Sequence, residues 1–192
     1  MLSQDEARFS LIPTLRTTLG IKGHRPVVGN LDCHDDFYLF GALNLVSGRL
    51  TTGLVERPTK SKMHRAAQYR SLQEVFARHL RASARAYPAE RHGRVVIVVA
   101  KAPWHKGSLL KQVLADPPPL EWYPLPSYSP KLQVIARFWK LLRRRATHNR
   151  FFATMATLKQ ALRSSLCYYQ TLKHRVLTLI ASRRKRTKSS AA

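Results

Sequence analysis

The run Arg94–Val99, RVVIVV, constrains the fold more than any other stretch of the chain. Its β-branched residues are stiff at χ1 and suit an extended backbone. No polar residue interrupts the run after Arg94, so it reads as a fully buried strand. A polar turn follows, AKAPWHKG (Ala100–Gly107), and then a short helical run, SLLKQVLAD, which Ser108 can cap. Asp116 and the three prolines after it break that helix. LEWYPLP supplies a second short strand, Leu120–Tyr123, and SYSPKLQVIARFWKLLRRR (Ser127–Arg145) a long basic helix. Strand, turn, helix, strand, helix is an α/β order. In open α/β sheets chemistry collects beyond the carboxyl ends of the strands, and Ala100–His105 lies at such an end.

The rest of the chain supports this order. Met1–Gln4 reads as the stump of a strand with Asp5 at its end. Gly20–Pro26 is turn-like, and Val27 and Val28 suggest a short strand. Phe37–Val46 reads as a strand, and Ser47-Gly48 turns it into a hairpin partner, Arg49–Val55. Ser71 with Glu74 three residues on is a capping-box pattern, predicting a helix over Leu72–Tyr87. In the long basic helix, Pro130 is expected in the first turn. Val134, Ile135, Phe138, Trp139 and Leu142 form its buried stripe, while Ala136, Lys140 and Arg143 share another side. Thr154–Ala181 carries a further helical pattern. Periodicity alone establishes a single α/β domain.

Charge sets the class of partner. The chain has 34 Lys and Arg against 10 Asp and Glu, a formal net charge of +24. Glu121 is the last acidic residue, and the 71 residues after it carry 16 Lys or Arg. A field of one sign over half a domain predicts a polyanionic partner, most simply nucleic acid. A hydrophobic content of 44% excludes a disordered chain. No apolar run is long enough to span a membrane, no signal peptide is evident, and a membrane-surface role lacks an opposing apolar face. Cys33 and Cys167 stand outside any motif and read as reduced thiols.

PWHKG after a hydrophobic strand, LPSYSPKLQVI and RFWKLLRRR together resemble the DDE transposases of bacterial insertion sequences, relatives of the mariner elements. LSQDEARF resembles the first catalytic block of that family, and GHRP and FGALNLVSGRL its middle region. The resemblance covers about residues 1–180, with the blocks in the family's order. It implies a ribonuclease H-like domain over residues 1–182, a mixed sheet flanked by helices, followed by a disordered basic tail, 183–192. It also implies DNA as partner, magnesium or manganese as cofactor, and a cytoplasmic, nucleoid-associated bacterial protein. A homo-oligomer, or pairing with an intact transposase, is a further implied partner.

The family holds two divalent ions with three carboxylates. Two dications about 3.8 Å apart repel by about 17 kcal/mol at an effective dielectric near 20, so clustered acids are needed to hold them. The first acid matches Asp5. The second belongs in a pattern like D-N-A-P-W-H, where this chain has Ala100 and Lys101. The third belongs in N-x-I-E-R-F-W, where it has Gln133 and Ala136. The expectation is a vestigial metal position at Asp5 and a domain without cleavage activity. The alternative is a non-catalytic basic DNA- or RNA-binding protein. Family members also carry an N-terminal helix-turn-helix that recognises terminal repeats; with Asp5 so near the start, no such region is expected here.

Other candidates divide between structure and binding. Lys140, Arg143, Arg144, Arg145, His148 and Arg150 make a basic helix end denser than capping requires, and are expected to contact phosphates. Arg183, Arg184, Lys185, Arg186 and Lys188 of the tail are expected to do so without sequence preference. Asp32, His34, Asp35 and Asp36 are dense in potential ligands, but consecutive residues leading into a strand point to alternate faces, so they read as a solvated loop. His105 reads as a structural histidine, Trp104 and Trp139 as core, and Trp122 as either core or stacking platform.

Overall fold

Five strands form one mixed sheet in the order β3-β2-β1-β4-β5. In this computed structural model the described residues are 1–31, 33–56, 65–88, 94–115, 120–126, 129 and 132–181. β1 (Leu2–Ser10) is central: it pairs antiparallel with β2 (Asp36–Asn44) and parallel with β4 (Val95–Val99). β3 (Leu50–Glu56) lies antiparallel to β2, and β5 (Leu120–Pro124) lies parallel to β4. The β2–β3 hairpin turns at Asn44, whose Oδ1 accepts from the N–H groups of Val46 and Ser47 at 2.8 and 3.0 Å. Gly48 takes the left-handed φ of 69° that closes the turn.

The helices cover both faces. α1 (Arg65–Arg85) and α2 (Ser108–Ala115) pack on one face, where Phe76, Leu80, Leu110 and Val113 meet Leu2, Phe40, Ile97 and Val99. α3 (Ile135–Ala146), α4 (Met155–Thr171) and α5 (Lys173–Ile180) cover the other. There Ile135, Phe138, Trp139, Leu142, Leu158 and Leu162 meet Phe9, Phe37, Leu39 and Leu43. Each such side chain contributes about 1.5–3 kcal/mol by leaving water. The stripe predicted for α3 is therefore its buried face, with Val134 half-buried at its start.

Several boundaries differ from the sequence expectation. β1 does not stop at Asp5; it runs on to Ser10, because Ala7 and Phe9 continue the alternation into the core. The charges after Asp5 are matched across strands, Arg8 by an ion pair with Asp36. α1 begins at Arg65, so Ser71 is internal rather than a cap; Tyr69 in its early turns stacks on Trp104 with ring centroids 6.4 Å apart. α3 begins at Ile135, well past Pro130, which lies outside the described residues. Val27 and Val28 form no strand, and Val27 is 91% exposed. Earlier in the same connection the chain is tied to the end of α3: Asn149 exchanges side-chain hydrogen bonds with the Arg16 backbone, and Thr14 bridges His148. The pattern over Thr154–Ala181 divides at Leu172 into two helices, the first capped by Thr154 Oγ1 accepting from the Thr157 N–H.

Gly41 in β2 shows how closely α3 approaches the sheet. A Cβ there would lie 2.5 Å from the Trp139 ring, which is 2% exposed and cannot retreat. We expect Gly41→Ala to destabilise the domain by about 1–3 kcal/mol through overpacking, measured by urea unfolding. Trp139→Phe in the same chain should recover part of that loss.

Candidate active site and nucleic-acid interface

Asp5 and Glu6 are neighbours in β1, so their side chains leave the sheet on opposite faces. Asp5 shares the face of Ala7 and Phe9, under α3; Glu6 faces α1 and the Ala100–Gly107 turn. The acidic pair of the sequence is thus two separate sites.

On the α3 face, register brings the expected positions together. Gln4 pairs with Val99, so Ala100 follows alongside Asp5 at the carboxyl end of β4. Val95, Ile97 and Val99 point into the α1 face, which turns residue 100 toward the Asp5 face. α3 is docked on the same part of β1. Gln133 Nε2 donates to the Gln4 carbonyl, and the Ile135 N–H donates to Ser3 Oγ at 3.3 Å. Asp5 and Ala100 therefore lie side by side at one end of the sheet, and Ala136 follows Ile135 where α3 docks on β1. Lys101 beside them is exposed.

Asp5 is the lone carboxylate of this group, and its environment disfavours its charge. Burial, reinforced by the Glu6 charge, pushes it up to about 6; hydrogen bonds from the Glu6 backbone N–H and the Gln133 side chain oppose this less strongly. Among the described residues no three His, Cys, Asp or Glu converge as metal ligands. The residues present here do not fit a pair of dications: one carboxylate cannot bridge and surround both.

On the other face Glu6 is fully engaged. Its Oε1 accepts from Trp104 Nε1 at 3.0 Å and meets His105 Nε2 at 2.8 Å. His105 Nδ1 lies 2.7 Å from the Ala100 carbonyl, which only accepts, so Nδ1 carries a proton. Nε2 in turn shares a short hydrogen bond with the Glu6 carboxyl, so the ring is held between two oxygens. Burial pushes the Glu6 carboxyl up, but the His105 ring and the Trp104 N–H outweigh it and hold it below its usual range. Phe76 stacks on the His105 ring at 4.2 Å and Trp122 meets it edge-on at 5.9 Å. His105 is thus the structural histidine expected, and it fixes the backbone of residue 100. Glu6 was not expected as its partner from the sequence. The signals were the acid after Asp5 and the histidine after Trp104, but nothing in their spacing says they meet.

The basic residues divide similarly. Lys140, Arg144 and Arg145 at the end of α3, and Arg150 after it, are exposed. Arg143 departs from the expected outward role: it is half-buried, donates to the Arg8 carbonyl at 3.0 Å and lies over the Phe9 ring. Its long stem makes that burial favourable, and the guanidinium satisfies a strand carbonyl while attracting Asp5. Arg145 stacks on Tyr168 at 3.5 Å. Beside it an open groove of about 580 Å³ is lined by Arg145, Arg150, Thr157, Gln160, Ala161, Ser164 and Ser165. Two guanidinium groups among hydroxyls and an amide, with no acid, suit phosphate oxygens. Arg183, Arg184, Lys185, Arg186 and Lys188 lie outside the described residues, as does Asp32. His34 and Asp35 are exposed, and Asp36 is taken by Arg8, so that cluster is the loop expected.

Residues 1–159 match the family described as DDE superfamily endonuclease. No curated protein sequence matches the chain. Among solved structures, the Mos1 mariner paired end complex with Mn superposes with a TM-score of 0.61 at 17% identity, over 93% of this chain and 53% of that one. The paired end complex with Mg gives 0.61 at 19%, over 93% and 52%. The catalytic domain of Mos1 mariner transposase gives 0.54 at 14%, over 93% and 78%. The fold is therefore ribonuclease H-like, a mixed sheet flanked by helices. The chain spans about half the length of the transposase chains in the two complexes.

The two carboxylates make opposite contributions to stability. Asp5 has a folded pKa raised above its unfolded value, so it costs stability as pH rises from about 4 to about 6. Asp5→Asn should raise stability at pH 7.5 by about 1–3 kcal/mol and change little at pH 4. Glu6 has a depressed pKa, so its contribution is present above its unfolded value and is lost on acidification. Glu6→Gln should cost about 3–5 kcal/mol at pH 7.5, as for a broken buried pair. Thermal unfolding of both variants across pH 4–8 checks both signs.

Proposed function

We propose that this chain, which belongs to the DDE superfamily endonuclease family, is a transposase catalytic domain that holds DNA without cutting it. The observation that supports this reading is Asp5 standing, among the described residues, outside any cluster of metal-ligating side chains, with alanine at 100 and 136. The reaction the family resemblance implies is attack of water, then of a DNA 3′-hydroxyl, on phosphodiester bonds, for which divalent metals held by three acids would supply the assistance. Here burial raises the Asp5 carboxyl to about 6, so it gives up its proton less readily than an ordinary aspartate, and Glu6 is committed to His105 on the other face. The Mos1 mariner paired end complexes are with Mn or Mg; in this chain dications would lack two of the three acids the resemblance implies.

In this reading residues 1–182 form one domain, and 183–192 add a basic tail. The exposed cations Lys140, Arg144, Arg145 and Arg150, with the groove beside α4, hold the phosphate backbone, while Arg143 positions α3. Duplex DNA is the partner, with a second copy or an intact transposase as the means of assembly. No helix among the described residues is long and apolar enough to cross a membrane, and the reading puts the chain with the nucleoid in the cytoplasm. A basic RNA-binding role is the alternative; preferential displacement of bound DNA by RNA would favour it.

We expect no magnesium-dependent nicking by the chain as it stands. Ala100→Asp with Ala136→Glu should restore divalent-metal binding by calorimetry, and Lys101→Asn should strengthen it by removing a nearby cation. Robust nicking by the unmodified chain, abolished by Asp5→Ala, would sink the reading. Duplex binding should weaken with salt, log K falling by about 0.9 per phosphate neutralised. Replacing Arg144, Arg145 and Arg150 with Gln should flatten that slope, read by fluorescence anisotropy.

A further inference from the structure

We propose that the α1–α2 face is a second nucleic-acid contact, so that one chain bridges two duplex segments. Arg78, Arg81 and Arg85 line one side of an open groove of about 410 Å³, with Ala77, Ala82 and Leu109 as its floor. Glu74 stands at one end and is the only acid in the lining. Arg78 and Arg85 are exposed, and Arg81 is half-buried. At a rise of 1.5 Å per residue the three arginines span about 10.5 Å, an axial length over which one strand of a duplex presents about three phosphates. Planar guanidinium forks match phosphate oxygens in pairs.

The lining argues against a protein occupant. Of the residues enriched in protein interfaces it holds Arg but no Tyr, Trp, Phe or Met to anchor a partner in a pocket. The position makes the site new. α1 and α2 pack on the Glu6 face of the sheet, whereas the α3 end and its groove lie on the Asp5 face. Two helical layers, each about 10–12 Å thick, stand on opposite sides of the sheet between these surfaces. A straight duplex on one cannot reach the other. The choice of nucleic acid over other polyanions rests on the DNA-binding reading above.

The test uses the full chain, an immobilised duplex and a second, fluorescent duplex of unrelated sequence. The wild-type chain should capture the second duplex. Arg78→Gln with Arg81→Gln and Arg85→Gln should reduce capture at least tenfold while still binding one duplex, with a salt slope lower by up to about 2.7. Gln keeps helix propensity near that of Arg. The variant Arg78→Glu with Arg85→Glu, which spares the half-buried position, should give the same loss. Unchanged capture and slope in both variants, with native circular dichroism, would overturn the bridge; so would release of the second duplex by poly-glutamate but not by free duplex. If the Arg144, Arg145 and Arg150 variant binds a duplex as the wild type does, the earlier reading of the α3 end fails instead.

Discussion

A central strand that carries two adjacent acids must find a place for each charge on a different face. β1 has neighbours on both edges and helices on both faces, so neither Asp5 nor Glu6 faces open solvent. Alternation sends them apart, and each face answers differently. The α1 face supplies Glu6 with the His105 ring and an indole N–H, the hydrogen-bond partners a buried carboxylate requires. The α3 face offers Asp5 an amide and the nearby charge of Arg143. The Asp5 carboxyl is therefore the destabilised member of the pair. The docking of α3 on β1 through Gln133 and Ile135, and the clamp of His105 on residue 100, both follow from holding these positions in place.

Much of this was legible in the sequence where local patterns were strong. RVVIVV gave β4, SLLKQVLA gave α2, and the turn at Ser47-Gly48 gave the β2–β3 hairpin, each within a residue or two. The blocks around Asp5, Ala100 and Ala136 pointed to the family that the match over residues 1–159 shows. Errors arose where distant contacts decided the outcome. Asp5 and Glu6 looked like a strand end because a charge pair is costly in a strand interior until its partners are known. Ser71 looked like a cap because its local pattern is favourable, yet tertiary packing that includes Tyr69 on Trp104 carries the helix further back. The Glu6–His105 pair links residues 99 apart in the chain, a separation over which spacing carries no information.

Net charge overstates the cations available to a polyanion. Arg137 donates to the Ile180 carbonyl at 2.7 Å and Arg143 to the Arg8 carbonyl. These two arginines brace helices before they bind anything. Where the acid-free half of the chain folds, part of its basic character is consumed in joining helices to the sheet. The residues left for phosphate are those whose side chains point away from β1, which is why the exposed face of a helix predicts contact better than the count of arginines along it.

Losing ligands need not mean losing the scaffold that held them, and this chain separates the two. A carboxylate at 100 or 136 would stand beside Asp5 on a partly buried face, and without dications the cluster would repel itself. Alanine removes that repulsion and needs no partner. The supporting contacts do different work: the Glu6–His105 pair joins β1 to the turn after β4, Gln133 joins α3 to β1, and Gly41 admits Trp139. Removing any of these would leave a buried charge, an unmet carbonyl or a clash. The ligand positions can therefore change with little structural penalty, whereas their neighbours cannot. A domain that no longer holds metal would keep this set of neighbours for folding alone, and would still present its basic surfaces in the arrangement the sheet imposes.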